Sequence, residues 1–132
     1  MAAALLDTHI LVWWRLEPAR LSAAQARFLN AVSSANPAGI SAITLWELAK
    51  LRERGRLKVR TPLDVWLREI ETHPQLEVAP LSVSIVAESV SLGEEFPKDP
   101  ADQIIVATAR CLGVPLLTAD ERIRRSGRVE VV

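Results

Sequence analysis

Short apolar runs alternate with longer segments of helical period along this 132-residue chain, and no hairpin turn signal breaks the alternation. A strand, a covering helix and a further strand return the chain parallel to its start, so the pattern predicts an α/β fold with a mainly parallel sheet flanked by helices. Strands are expected over residues 3–6, 40–43, 76–79, 116–118 and 129–132. The intervening helices are read over 8–16, 22–32 (Ser22 as N-cap) and 44–54, where Thr44 and Glu47 have capping-box spacing before the stop at Gly55. A helix over 62–72 would use Thr61 as N-cap and Pro62 at its first position. Another lies near 83–92. Asp99-Pro100 opens a helix over 101–112, closed by Gly113, and Asp120 starts a short last one.

With 49% hydrophobic residues the chain has enough apolar material for a core, and no repeat or linker divides it. One domain over residues 1–132 is expected. The lone Cys111 cannot form an internal disulfide. The apolar start is interrupted by Asp7 and His9 and lacks a basic leader, and no run reaches the roughly twenty residues of a membrane span. These features predict a soluble, cytoplasmic protein with no membrane partner.

The most informative residues are acids. Ligands bind open parallel sheets beyond the carboxyl ends of the strands. Asp7 follows the first predicted strand, Glu47 lies one turn into the helix after the second, and Asp120 follows the fourth. Asp102 continues the apolar face formed by Ile105, Val106 and Ala109, so it should point inward. An inward carboxylate is costly without a positive partner, and no Lys or Arg stands at an obvious pairing position. A divalent cation answers that need. Hard oxygen donors without His or Cys at ligand spacing favour Mg²⁺ or Mn²⁺. Each acid also has a plainer role: Asp7 and Asp120 suit helix N-caps, Glu47 the acidic half of a capping box, and Asp102 a favourable place in the helix dipole. Asp99, directly before Pro100, is read chiefly as a cap. His9 and His73 are isolated and read as packing or surface residues.

At these positions the chain resembles a PIN-domain ribonuclease, specifically the VapC-type toxin of a bacterial or archaeal toxin–antitoxin pair. The carriers are LLDTH (5–9), ISAITLWELAKLRERGRLKV (40–59), KDPADQIIVATA (98–109) and LLTADERI (116–123), in order and at family spacing. The resemblance implies a PIN-like three-layer fold with a parallel five-stranded sheet, Mg²⁺-dependent endoribonuclease activity, homodimers, an RNA substrate and a cognate antitoxin. It carries the family's four acids onto Asp7, Glu47, Asp102 and Asp120, as catalytic and metal-holding residues, with Thr8 and Thr118 as hydroxyls beside them. Ala101 and Gln103 depart from the common pattern, which leaves Asp99 and Asp102 as alternatives for the closer metal ligand.

Net charge makes no case for nucleic acid, since 16 basic residues balance 16 acidic ones. Distribution permits a local basic surface, because Lys50, Arg52, Arg54, Arg56, Lys58 and Arg60 crowd one stretch, and Arg122, Arg124, Arg125 and Arg128 another near the C-terminus. The first group reads either as phosphate contacts or as a solvated helix end about 16 Å from the end carrying Glu47. Trp13, Trp14, Trp46 and Trp66 are read as core or dimer-interface residues rather than stacking platforms. Two other functions fit parts of the pattern. A receiver-like phosphoacceptor domain would want paired acids after the first strand and a late Lys, and a degenerate PIN scaffold would bind RNA or a partner without cutting.

Overall fold

The computed structural model describes residues 2–132. Four parallel strands form one sheet in the order β3-β2-β1-β4. They are β1 (Leu5–Leu6), β2 (Ala38–Ser41), β3 (Leu76–Ala79) and β4 (Leu116–Leu117). Consecutive leucines at β1 and β4 are fully buried and feed opposite faces. Leu6 and Leu117 join one apolar cluster with Ile10, Leu11, Leu29 and Leu48. Leu5 and Leu116 join the other with Phe96, Ile105, Val106 and Ile123. Sequences buried on both faces read as apolar runs, as parallel strands do.

The helices are α1 (Thr8–Leu16), α2 (Ala23–Asn30), α3 (Ala42–Glu53), α4 (Leu63–Glu71), α5 (Val83–Ser89), α6 (Pro100–Leu112) and α7 (Glu121–Ser126). Ser22 caps α2 with Gln25 completing a capping box, and Gly113 closes α6 at φ 67°. Gly39 permits close approach: a Cβ there would stand 3.1 Å from the Ala2 Cβ and 3.2 Å from the Ala4 carbonyl, so the neighbours would have to give by a few tenths of an ångström.

Several boundaries differ from the expectations. The second strand lies earlier, and α3 begins at Ala42, because Ser41 Oγ accepts from the Ile43 N–H at 3.2 Å. Thr44 is therefore inside the helix, and the Thr44–Glu47 capping box does not exist. Pro62 is an extended cap residue before α4, so Thr61 does not cap that helix. The hydroxyls of Ser89 and Ser91 donate to the Val86 and Glu88 carbonyls, and α5 stops at Ser89 rather than near residue 92. The expected fifth strand is reduced to one bridge between Val131 and Leu116. β4 is only two residues long and offers no longer ladder, while Gln25 Nε2 and Arg124 Nη1 instead hold the Val132 carbonyl.

Candidate metal and active site

A cavity of about 620 Å³ opens at the carboxyl end of the sheet. Into it come Asp7 from just after β1, Thr8 from the start of α1, Glu47 from α3, Asp99 and Asp102 from the start of α6, and Asp120 from the loop after β4. All four acids expected from the sequence thus border one space, with Asp99 among them.

Two threonines fix the acids. Asp7 is buried; its Oδ1 accepts from the Thr8 N–H at 2.8 Å and its Oδ2 from the Thr118 hydroxyl at 2.7 Å. The same Thr118 oxygen accepts from the Asp120 N–H at 3.0 Å. The Thr8 hydroxyl donates to Glu47 Oε1, so the proton in its 3.0 Å contact with Thr44 comes from Thr44. Glu47, free of any capping duty, is held from across the sheet edge by the residue that opens α1. Asp99 caps α6, accepting from the N–H groups of Ala101 and Asp102. Asp120 caps α7 through the Arg122 and Ile123 N–H groups.

Electrostatics separate the acids. Burial, reinforced by the charges of Asp7, Asp99, Asp120 and Glu47, pushes the Asp102 carboxyl up to about 7. Burial also raises Glu47, aided by Asp7 and Asp99 and opposed by the Thr8 hydroxyl. Burial would raise Asp120 as well, but hydrogen bonds from the Arg122 side chain and backbone, with its charge and the Ile123 N–H, hold that carboxyl below its usual range.

Arg122 corrects the expectation that no cation could partner these acids. Its Nη2 stands 3.2 Å from Asp120 Oδ2 and 3.5 Å from Asp102 Oδ2. The guanidinium is 61% exposed, so solvent screens its charge and the surrounding acids prevail at Asp102. In the sequence, Arg122 stands out only as one of the C-terminal basic group. His9 is not isolated either. Its Nε2 accepts from the Ala119 N–H at 2.9 Å, which leaves the ring proton on Nδ1, 3.6 Å from Asp7 Oδ2. The only signal for it is its place two residues after Asp7.

Among the described residues, no group of three or more His, Cys, Asp or Glu side chains stands in an arrangement able to hold a metal ion. The donor chemistry nevertheless fits a hard divalent cation: several carboxylates share one cavity, and burial together with their mutual repulsion raises the Asp102 carboxyl. Thr8, Thr118 and Arg122 occupy oxygens that such an ion would compete for.

The sequence profile of the PIN domain matches residues 4–129 of this chain. Ribonuclease VapC22 of Mycobacterium tuberculosis is 38% identical over 124 residues, covering 94% of this chain and 92% of that protein. Among solved structures, VapBC2 from Rickettsia felis bound to a promoter DNA fragment superposes with a TM-score of 0.71 at 19% identity, covering 100% of this chain and 98% of that one. VapBC from Salmonella typhimurium bound to DNA gives 0.70 at 22%, with coverage of 100% and 98%. These structures share the α/β fold.

Proposed function

This chain belongs to the PIN domain family, and from that premise we propose that it is a divalent-metal-dependent endoribonuclease, the toxin of a toxin–antitoxin pair, with residues 1–132 as one PIN domain. The observation that carries this reading is the convergence of Asp7, Glu47, Asp102 and Asp120 on one cavity, where burial and like charge hold Asp102 near 7. The VapC22 relative is named a ribonuclease, and a structurally similar protein from Klebsiella pneumoniae is described as a toxin–antitoxin complex, which supports RNA as substrate and an antitoxin as partner. The PIN match displaces the receiver-like alternative.

The four acids would hold Mg²⁺ or Mn²⁺, with Asp99 at the edge of the set. Such an ion, when bound, polarises a phosphoryl oxygen and acidifies a bound water. The chain's own residues do the positioning. Thr118 fixes Asp7 relative to the backbone of Asp120, and Thr8 holds Glu47 by one oxygen. Asp102, whose carboxyl is pushed up to about 7 by burial and the neighbouring acids, is the acid best suited to exchange a proton near neutral pH, and burial raises Glu47 in the same direction. Arg122 can turn from Asp102 and Asp120 toward a phosphate, because its exposed guanidinium is anchored on one side only.

The chain also acts as a homodimer. The support is an unpaired apolar strip around α5, where Val83 is 87% and Val90 83% exposed, beside exposed Leu81 and Val86. No helix among the described residues is long and apolar enough to cross a membrane.

Labelled single-stranded RNA should be cut by the purified protein with Mg²⁺ and spared with EDTA. Asp7→Asn should abolish cutting while keeping the circular-dichroism spectrum. Cleavage that survives both EDTA and Asp7→Asn would overturn the metal-dependent reading, and a wild type inert on RNA with every divalent ion would leave a degenerate scaffold.

A further inference from the structure

Helix α3 does more than deliver Glu47. Ile43, Trp46, Glu47, Lys50, Leu51 and Arg54 recur at three- and four-residue spacing, and all six border the acidic cavity. The basic run of the sequence is thereby divided. Lys50 and Arg54 face the cavity; beyond Gly55 the chain turns, Leu57 is buried, and Arg56 and Lys58 stand outside it. The helix end that looks remote from the acids is the far end of the same cavity.

Trp46 is the unusual member. It is 55% exposed although it adjoins Glu47, and the Lys50 ammonium lies 5.7 Å from its ring centroid. A large aromatic half in water forfeits much of the burial that a core position would give it. Among the described residues Lys50 is engaged otherwise only by Glu53 at 3.3 Å, an exposed ion pair of small worth. The Arg54 guanidinium has no hydrogen-bond or ion-pair partner among the described residues.

The geometry points to this face of α3 as a track for single-stranded RNA: one base stacks on Trp46, and Lys50 and Arg54 take successive phosphates leading away from the acids. This rests on the ribonuclease reading above. From Glu47 to Arg54 the helix rises about 10 Å, at 1.5 Å per residue. That matches about three stacked nucleotides at 3.4 Å each. An aromatic platform with flanking cations is how strands are held without base-specific hydrogen bonds, because every base has a π face. It also answers an electrostatic difficulty. A polyanion approaching an acidic cavity is repelled there, so cations must meet it on the approach, and α3 places them there.

The test is fluorescence anisotropy of a fluorescein-labelled, mixed-sequence single-stranded RNA, with Ca²⁺ in place of Mg²⁺ to suppress cutting. Trp46→Ala should weaken binding roughly tenfold, the size of one base stack, while Trp46→Phe should recover most of it. Lys50→Ala with Arg54→Ala should lower the salt slope by about 1.4, at about 0.7 per contact on a single strand. Arg56→Ala with Lys58→Ala should leave affinity and slope unchanged. With Mg²⁺, the α3 variants should raise KM and leave kcat within about twofold. Wild-type affinity in Trp46→Ala and in the Lys50/Arg54 pair would overturn the track while leaving the ribonuclease reading standing. That reading is tested separately, by loss of cutting in Asp7→Asn. If Trp46→Ala instead shifts the protein toward monomer in sedimentation and leaves RNA affinity unchanged, the face belongs to a second copy of the chain and the track is wrong.

Discussion

Helices α1 and α3 each serve two unlike concavities. Toward the sheet's carboxyl end they give Thr8, His9, Trp46 and Glu47 to the acidic cavity of about 620 Å³. Toward α4 they give Leu11, Val12, Leu16 and Leu48 to an apolar groove of about 240 Å³, completed by Leu57, Trp66 and Ile70. The groove side stabilises the fold by removing hydrocarbon from water. The cavity side works against the fold, since it half-buries carboxylates that also repel one another, and both effects raise Asp102. One pair of helices thus carries a contribution and a cost on separate faces, and substitutions on the two faces should behave oppositely.

The largest expected contrast sets Leu48→Ala against Asp102→Asn. Leu48 is 2% exposed within the core cluster under the groove, and its truncation should cost about 2–5 kcal/mol of stability. RNA cleavage per folded molecule should change little. Asp102→Asn keeps the shape and removes the most destabilised charge. It should abolish cleavage while leaving metal-free stability about equal to wild type near pH 5 and about 1–3 kcal/mol above it near pH 8. Urea titration with a cleavage assay on each variant measures both. A clear loss of stability in Asp102→Asn would show that the carboxylate is structural, and the contrast would fail.

The same contrast governs how much of the molecule is legible in its sequence. The alternation of apolar runs and helical periods reveals the parallel sheet, because both faces of β1 and β4 are buried and the signal is continuous. The acids are legible because strand ends and the inward face of α6 follow from periodicity alone. Arg122 and His9 are not. Each has one partner close in sequence, Asp120 for Arg122 and Asp7 for His9, but the contacts that tie them across the site, to Asp102 and to the Ala119 N–H, come from distant segments brought together by the fold. The fifth strand and the Thr44–Glu47 box mislead for a different reason. Local spacing is right in both, but Ser41 takes the cap and a two-residue β4 leaves little to pair with.

Acidity offers a second, intermediate contrast. The folded Asp102 carboxyl sits at about 7 against an ordinary 3.8, so between those values the folded chain keeps a proton that the unfolded chain has released. Stability of the metal-free protein therefore falls as pH rises through that window, since the unfolded state binds fewer protons. Every tenfold change in proton affinity corresponds to about 1.4 kcal/mol, and coupling among the acids spreads this, so a loss of about 1–3 kcal/mol from about pH 5 to about pH 8 is expected. Glu47, also raised, acts in the same direction. Asp120, lowered, contributes stability that is fully present above its ordinary range and is lost only as pH drops below it. Thermal melts across this range should show the decline in EDTA, and Mg²⁺ should remove most of it. Asp102→Asn should flatten the EDTA curve, whereas Leu48→Ala should move it down without changing its slope. A flat wild-type curve would mean that the acids are better separated by solvent than their burial implies.

The smallest effect is expected at Asp99, which belongs to both kinds of surface. Its Oδ1 accepts from the Ala101 and Asp102 N–H groups, so it holds the start of α6 in a purely structural way. It also borders the acidic cavity and is among the charges that raise Asp102 and Glu47. Asp99→Ser separates the two roles. Serine caps a helix nearly as well as aspartate, so stability should stay within about 0.5 kcal/mol. Loss of the charge relieves Asp102 slightly, and the pH decline described above should become shallower. Cleavage should fall less than about tenfold, because Asp7, Glu47, Asp102 and Asp120 are left in place. Asp99→Ala, which has neither cap nor charge, should lose about 1 kcal/mol while cutting RNA like the serine variant. Complete loss of cleavage in Asp99→Ser, at unchanged stability, would move Asp99 from the rim into the set proposed to hold the metal. It would also make the start of α6 as much a part of the cavity as the end of β1.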